Sequence, residues 1–370
     1  MVFSDIRKNN RVVTAYLKPS DYCSVGCEHC YLPYEARTSR VRMTLNTLDK
    51  AIETIRGMAS VQPARGILIV WHGGEPLALP KEYFRKMCER VREGLPEAIQ
   101  SIQTSLIPYR KDWAPILLEF TGTHIGSSID FSLRTIRGNA ERYQLLWLKK
   151  AAQARQDGFS VTPGVVPSRH ELGRGIEICD WMERHGFLGW NIDRYNSHEK
   201  EDLLRPSNIE HSEFLTQVFK AAMKRAERGV FMKINTVRAA LAGILAGATG
   251  DRWGTSCSRD FIVVNPDGTA SACPDMAGYS SYGHVSGGFW EFSGSEARRK
   301  WIRNHLIGRA NPNCRSCRFN GFCRTGCPLT PNAPELEGDC SGYSRHLSHV
   351  ADFAVRKPDI AWKYLRETTE

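Results

Sequence analysis

The stretch Val12-Val13-Thr14-Ala15-Tyr16-Leu17, followed across a short link by Cys23-Ser24-Val25-Gly26-Cys27-Glu28-His29-Cys30, decides the reading of this chain. The first segment, apolar and rich in β-branched residues, reads as a strand. The second sets three cysteines, with three and then two residues between them, on a loop at that strand's C-terminal end. Thiols so spaced can converge on one metal centre, and thiolate is the ligand that iron–sulfur clusters use. Three ligands for four irons leave one iron open, and an open position separates a reactive metal centre from a structural one. Closed zinc is the bland alternative; it would need a fourth ligand such as His29.

Outward from this loop, strand and helix patterns alternate. Leu45, Leu48, Ile52 and Ile55 recur at helical spacing behind Thr44, a fitting N-cap. Ile67 to Trp71 reads as strand, Phe84 to Val91 as helix and Ile99 to Thr104 as strand. Helix from Trp113 to Phe120, strand from His124 to Asp130, helix from Glu141 to Gln156 and strand from Phe159 to Val166 follow. A helix through Ile176 and Met182, a strand from Leu188 to Ile192 and a helix from Phe214 to Ala226 complete six units. Such alternation predicts a parallel sheet with functional loops at the strand C-termini. Periodicity alone leaves a partial barrel and a doubly wound sheet both open. After about residue 245 the pattern stops, a hairpin around Asn265-Pro266-Asp267-Gly268 appears, and cysteines crowd in. The expected organisation is an α/β domain over 1–240 and a cysteine-rich domain over 241–370, closing with helix from Tyr343 to Leu365.

The chain has 370 residues, of which 41% are hydrophobic and 24% charged, which is ordinary globular composition. It shows neither a long apolar run nor a signal peptide, so a cytoplasmic protein without membrane partners is expected. A formal charge of +10 is not gathered into one tract, and bound clusters would lower it, so nucleic acid is not the expected partner. Of twelve cysteines, three lie between 23 and 30 and seven between 257 and 340. In a reducing compartment such clustering favours metal over disulfides. Cys88 and Cys179 fall on apolar helix faces and read as core.

The Cys23, Cys27, Cys30 spacing after a first strand resembles the signature of the radical S-adenosylmethionine superfamily, with His29 in its usual aromatic position. Gly73-Gly74-Glu75-Pro76, directly after the strand ending at Trp71, resembles the family turn that holds the cofactor's amino group. The resemblance implies a partial (β/α)6 barrel and a 5′-deoxyadenosyl radical that abstracts hydrogen. It further implies cofactor contacts from Ser128 and Asp130 near the ribose, and from one of Arg134, Arg137 and Arg142 to the carboxylate, with Arg137 favoured. Asp130 is followed by Phe131 rather than the glycine and proline usual in relatives.

Cys257, Gly268, Cys273, then Cys314, Cys317, Cys323, Cys327 and Cys340 resemble the SPASM extension of peptide-modifying members, with two auxiliary clusters. The resemblance assigns Cys314, Cys317, Cys323 and Cys340 to the outer cluster and Cys257, Cys273 and Cys327 to the inner one. No cysteine stands between 251 and 256 to complete the inner set, so that cluster has a free iron or a ligand such as Asp251. Three four-iron clusters and S-adenosylmethionine are thus the implied cofactors, and Asp275 is the implied catalytic base. The implied function is radical modification of a ribosomally made peptide. The alternatives are a sugar, nucleoside or other small metabolite and, third, formylglycine formation in sulfatases. A reductase or flavodoxin-type donor is implied as partner. Only about eleven residues precede the first strand, so a separate leader-peptide-binding protein is expected to serve a peptide substrate.

Overall fold

The structure, a computed structural model, describes residues 12–61, 65–195, 202–276, 281–308 and 312–369. Its strands in chain order are β1 Val12–Leu17, β2 Gly26–Cys27, β3 Gly66–Trp71, β4 Ala98–Gln103, β5 His124–Ser128 and β6 Arg134–Thr135. They continue with β7 Ser160–Val165, β8 Gly189–Ile192, β9 Lys233–Ile234, β10 Phe261–Val264, β11 Thr269–Ser271 and β12 Gly283–His284. The expected alternation is present, and a short unit beyond it, β9 with helix Asn235–Ala246, carries too few residues to show as a period.

The chain divides into two compact units that do not follow its order. One comprises the described residues within 9–162 and 256–303, the other those within 163–255 and 304–370. The expected segments 1–240 and 241–370 are each shared between them.

In the first unit β1 pairs in parallel with β3, β3 with β4, and β4 with β5. On the other side of β1 lies β10, also parallel, with Phe261 opposite Thr14, followed by antiparallel β11 and β12. The hairpin expected to open a separate cysteine-rich domain therefore extends this sheet. Gly268, at φ 89°, makes its turn and donates its N–H to the Asn265 carbonyl at 2.9 Å. On the helix-covered face, Trp71 meets Phe84 edge-on at 5.3 Å and Phe84 meets Trp113 at 5.8 Å. Trp71 also donates to Gln100, which reaches the Cys88 carbonyl, so this face is closed both by apolar area and by satisfied polar groups. Cys88 is fully buried there.

In the second unit β7 pairs in parallel with β8, and β8 with β9. Helix Asn208–Ala226 begins in a capping box of Ser207 and Glu210, and its Phe219 is boxed edge-on by His346, His349 and Phe353. The expected C-terminal helix is two, Ser344–Arg356 and Pro358–Glu367, because Pro358 cannot continue the first. Cys179 is fully buried. No described helix is long and apolar enough to cross a membrane.

Candidate active site and metal centres

The cysteine loop is held from two sides. Its β2 residues Gly26 and Cys27 pair antiparallel with Thr135 and Arg134, and Glu28 N–H donates to the Leu133 carbonyl at 3.0 Å. From the other side, Gly74 and Glu75 donate N–H groups to the Ser20 and Tyr22 carbonyls at 3.0 and 2.9 Å. The turn glycines are required by that contact. A Cβ on Gly73 would lie 2.5 Å from the Ser20 carbonyl oxygen, and one on Gly74 2.1 Å from that of Asp21. The Gly73 carbonyl accepts the Tyr31 hydroxyl at 3.2 Å and retains a second lone pair for an ammonium. Glu75 is turned inward, accepting from Leu77 N–H at 3.0 Å, Ser105 N–H at 2.8 Å and Thr104 Oγ1 at 2.6 Å, as well as from the Ser105 hydroxyl. Its carboxylate thus staples the turn, which ends in the one-turn helix Pro76–Ala78, to the loop after β4.

Cys23, Cys27 and Cys30 are electrostatic neighbours. Burial, then Glu75 and the other two thiols, pushes Cys23 up to about 12, and burial and Cys30 push Cys27 upward. Thiols that repel each other as thiolates are stabilised by a bound cation, so this donor set fits a metal cluster. Among the described residues no three His, Cys, Asp or Glu side chains converge as a single ion requires.

Asp130, 1% exposed, accepts from Arg134 and faces His29 Nε2 at 3.2 Å. Arg134 Nη1 lies 3.2 Å from Cys27 Sγ. The structure thus brings Arg134 to the cysteines, while the favoured Arg137 sits exposed in a turn at φ 52° and Arg142 is exposed as well. Ser128 accepts from Gln103 at 3.1 Å, and its carbonyl accepts from Tyr143 at 3.0 Å. Two polar residues here were missed in the sequence, Lys18 and Asp21; His72, before the glycines, lies 3.3 Å from the Tyr31 hydroxyl. A lysine directly after an otherwise apolar strand was the available signal for the first.

In the second unit Cys314, Cys317, Cys323 and Cys340 line one cavity of about 330 Å³ with Asp339 and Arg345. Burial, then Cys340, pushes Cys323 up to about 12, the same sign as in the first loop. Gly342 has no room for a side chain: its Cβ would stand 2.5 Å from Cys323 Sγ. Of the expected inner set, Cys257 and Cys273 belong to the first unit and Cys327 to the second. Asp251 accepts from Thr236 at 2.8 Å, Asn235 at 3.3 Å and Arg252 at 3.1 Å. Asp275 lies on the turn Pro274–Met276 directly after Cys273.

No family model matches the chain. It is 23% identical over 344 residues to a serine-type anaerobic sulfatase-maturating enzyme of Klebsiella aerogenes, covering 89% of this chain and 82% of that protein. An uncharacterized protein of Archaeoglobus fulgidus is 22% identical over 325 residues, covering 85% and 74%. Among solved structures, native anSMEcpe with bound AdoMet superposes with TM-score 0.76 at 17% identity, over 95% of this chain and 99% of that one. SuiB of Streptococcus suis bound to precursor peptide SuiA gives 0.56 at 15% identity, over 92% and 76%. At such identities the solved structures establish the α/β fold. With the cysteine loop, the glycine turn and the C-terminal cysteines, these relatives make the chain similar to radical S-adenosylmethionine enzymes of the SPASM subgroup.

Proposed function

We propose that this enzyme removes a hydrogen atom from a peptide substrate. Its cofactors are S-adenosylmethionine and four-iron clusters. The observation that carries the reading is the double clamp on the Cys23–Cys30 loop: β6 with Arg134 on one side, the Gly73–Pro76 turn on the other. When bound together, cluster and S-adenosylmethionine supply one-electron cleavage of the sulfonium and, through it, hydrogen abstraction from an unactivated carbon. The protein's residues position and shield. Cys23, Cys27 and Cys30 hold the cluster, Arg134 donates to the Cys27 sulfur, and the Gly73 to Pro76 backbone offers carbonyls to the cofactor's ammonium. Asp130, fixed by Arg134 and His29, and Ser128 stand beside that site for the ribose. Asp275 is the proton acceptor, and Cys314, Cys317, Cys323 and Cys340 hold an outer cluster.

A peptide substrate is supported by the relatives, since one matures sulfatases by name and another is seen with a precursor peptide. Serine or cysteine oxidation in a sulfatase-type sequence is the narrower form. A cytoplasmic setting, with an acidic flavodoxin-type donor and a leader-binding partner, belongs to the same proposal and keeps the thiols reduced. The test is 5′-deoxyadenosine release by anaerobically reconstituted, dithionite-reduced protein, then deuterium transfer into it from deuterated peptides or sugars. Cys27→Ala should abolish release. Transfer from sugars and not from peptides would reject the peptide reading.

A further inference from the structure

Lys18 directly follows β1, and nothing in the proposed chemistry uses it. Strand alternation puts Leu17 on the helix-covered face, level with Trp71, and Lys18 on the opposite face with Tyr16 and His72. The residue is 0% exposed. Its ammonium lies 4.7 Å from the centre of the Tyr31 ring, yet Nζ has no hydrogen-bond partner among the described residues. A buried ammonium left without acceptors is costly. One carboxylate oxygen of nearby Asp21, Oδ1, is likewise buried and without a partner.

The surroundings say which ligand would meet this need. Negative charge is already plentiful, because Asp21, Asp275, Cys273 and Cys30 all act on Lys18. A further anion would be repelled by this group. What Nζ lacks is a neutral acceptor, and what Asp21 Oδ1 lacks is a donor. A peptide group offers both, its C=O on one side and its N–H on the other. Arg134, on the Cys27 flank of the loop, already has Asp130 and Cys27 as partners, so the two cations are not equivalent.

From this pairing we infer that Lys18 and Asp21 form a subsite for a main-chain amide of the substrate, beside Cys30 and Asp275. The inference rests on the peptide-modifying function proposed above and narrows it: the enzyme grips the backbone next to the residue it modifies. Lys18 donates to the carbonyl and Asp21 accepts from the N–H.

The test is calorimetric binding of N-acetylserine methylamide, the amide-free ester methyl 3-hydroxypropanoate and methyl β-glucoside to anaerobic holoenzyme containing S-adenosylmethionine. The diamide should bind about tenfold or more tightly than either other probe, the range expected for a hydrogen bond to a charged donor. Lys18→Met should erase that preference, Lys18→Gln should retain part of it, and neither should change S-adenosylmethionine affinity. Iron content and circular dichroism report whether the variants are folded. Equal or better binding of the ester or the glucoside, no binding of the diamide, or an unaltered preference in folded Lys18→Met would overturn the subsite. A parallel loss of S-adenosylmethionine affinity would make Lys18 a cofactor anchor and overturn it too. Failure of the broader reading shows separately, as wild-type protein that yields no 5′-deoxyadenosine.

Discussion

The guanidinium of Arg134 sits 3.2 Å from the sulfur of Cys27. The two residues are also strand partners in the β2–β6 pair, so backbone and side chain deliver the same contact. Asp130 holds the other edge of the guanidinium and His29 beyond it, which fixes the orientation of the charge.

A hydrogen bond from a cation to a ligand sulfur stabilises the reduced cluster. Arg134→Met should therefore lower the potential of the cluster on Cys23, Cys27 and Cys30, on the order of 60–120 mV if the bond is worth ~1.5–3 kcal/mol. Redox titration followed by electron paramagnetic resonance measures it. An unchanged potential would show that the contact does not persist in the holoenzyme.

Gly74→Ala forces a Cβ to within 2.1 Å of a backbone oxygen, whereas Gly66→Ala meets nothing within 4 Å. The first should destabilise by about 3 kcal/mol or more and the second by less than about 0.5 kcal/mol. Thermal unfolding of both under anaerobic conditions decides it. Similar melting temperatures would contradict the close packing of the turn on residues 20–22.

Gly342→Ala drives its Cβ into Cys323 Sγ, at 2.5 Å, in a cavity that belongs to one unit. The expected outcome is loss of about a third of the iron, one cluster in three, with 5′-deoxyadenosine release largely kept. Cys340→Ala should do the same. Loss of all iron in either variant would mean that the outer site is needed for folding.

Burial, then Arg252 and His349, holds His346 down to about 3. The folded value is below the unfolded one, so the stability at stake is complete above pH 6.5 and lost as pH falls toward 3. Below pH 6.5 the unfolded chain takes up a proton that the folded chain refuses, costing about 1.4 kcal/mol per pH unit. His346→Gln should flatten the fall in stability between pH 6.5 and pH 5 by about that slope, as read from urea midpoints. An unchanged slope would place the acid sensitivity elsewhere.

Much of the architecture was legible locally. β1 runs over Val12–Leu17 as its apolar pattern indicates, and the other five major strands fall within two residues of theirs. Periodicity is a property of neighbours in sequence, so it survives in a single chain read alone. The same holds for the position of the cysteine loop, which follows β1 directly as the spacing indicates. The role of Glu75 was not legible: it stands in the turn motif, but its four partners come from Leu77 and from residues 104 and 105.

The sequence alone determined the repeating strand–helix units and where the cysteine loop and the glycine turn fall between them, since each depends on spacings of a few residues. Only the tertiary structure decided that β10 lies beside β1, that Arg134 rather than Arg137 reaches Cys27, and that buried Lys18 has no hydrogen-bond partner for Nζ among the described residues. Those outcomes depend on which distant segments pair through backbone hydrogen bonds and exclude water. That competition is settled by the whole chain at once, and no local pattern records its result.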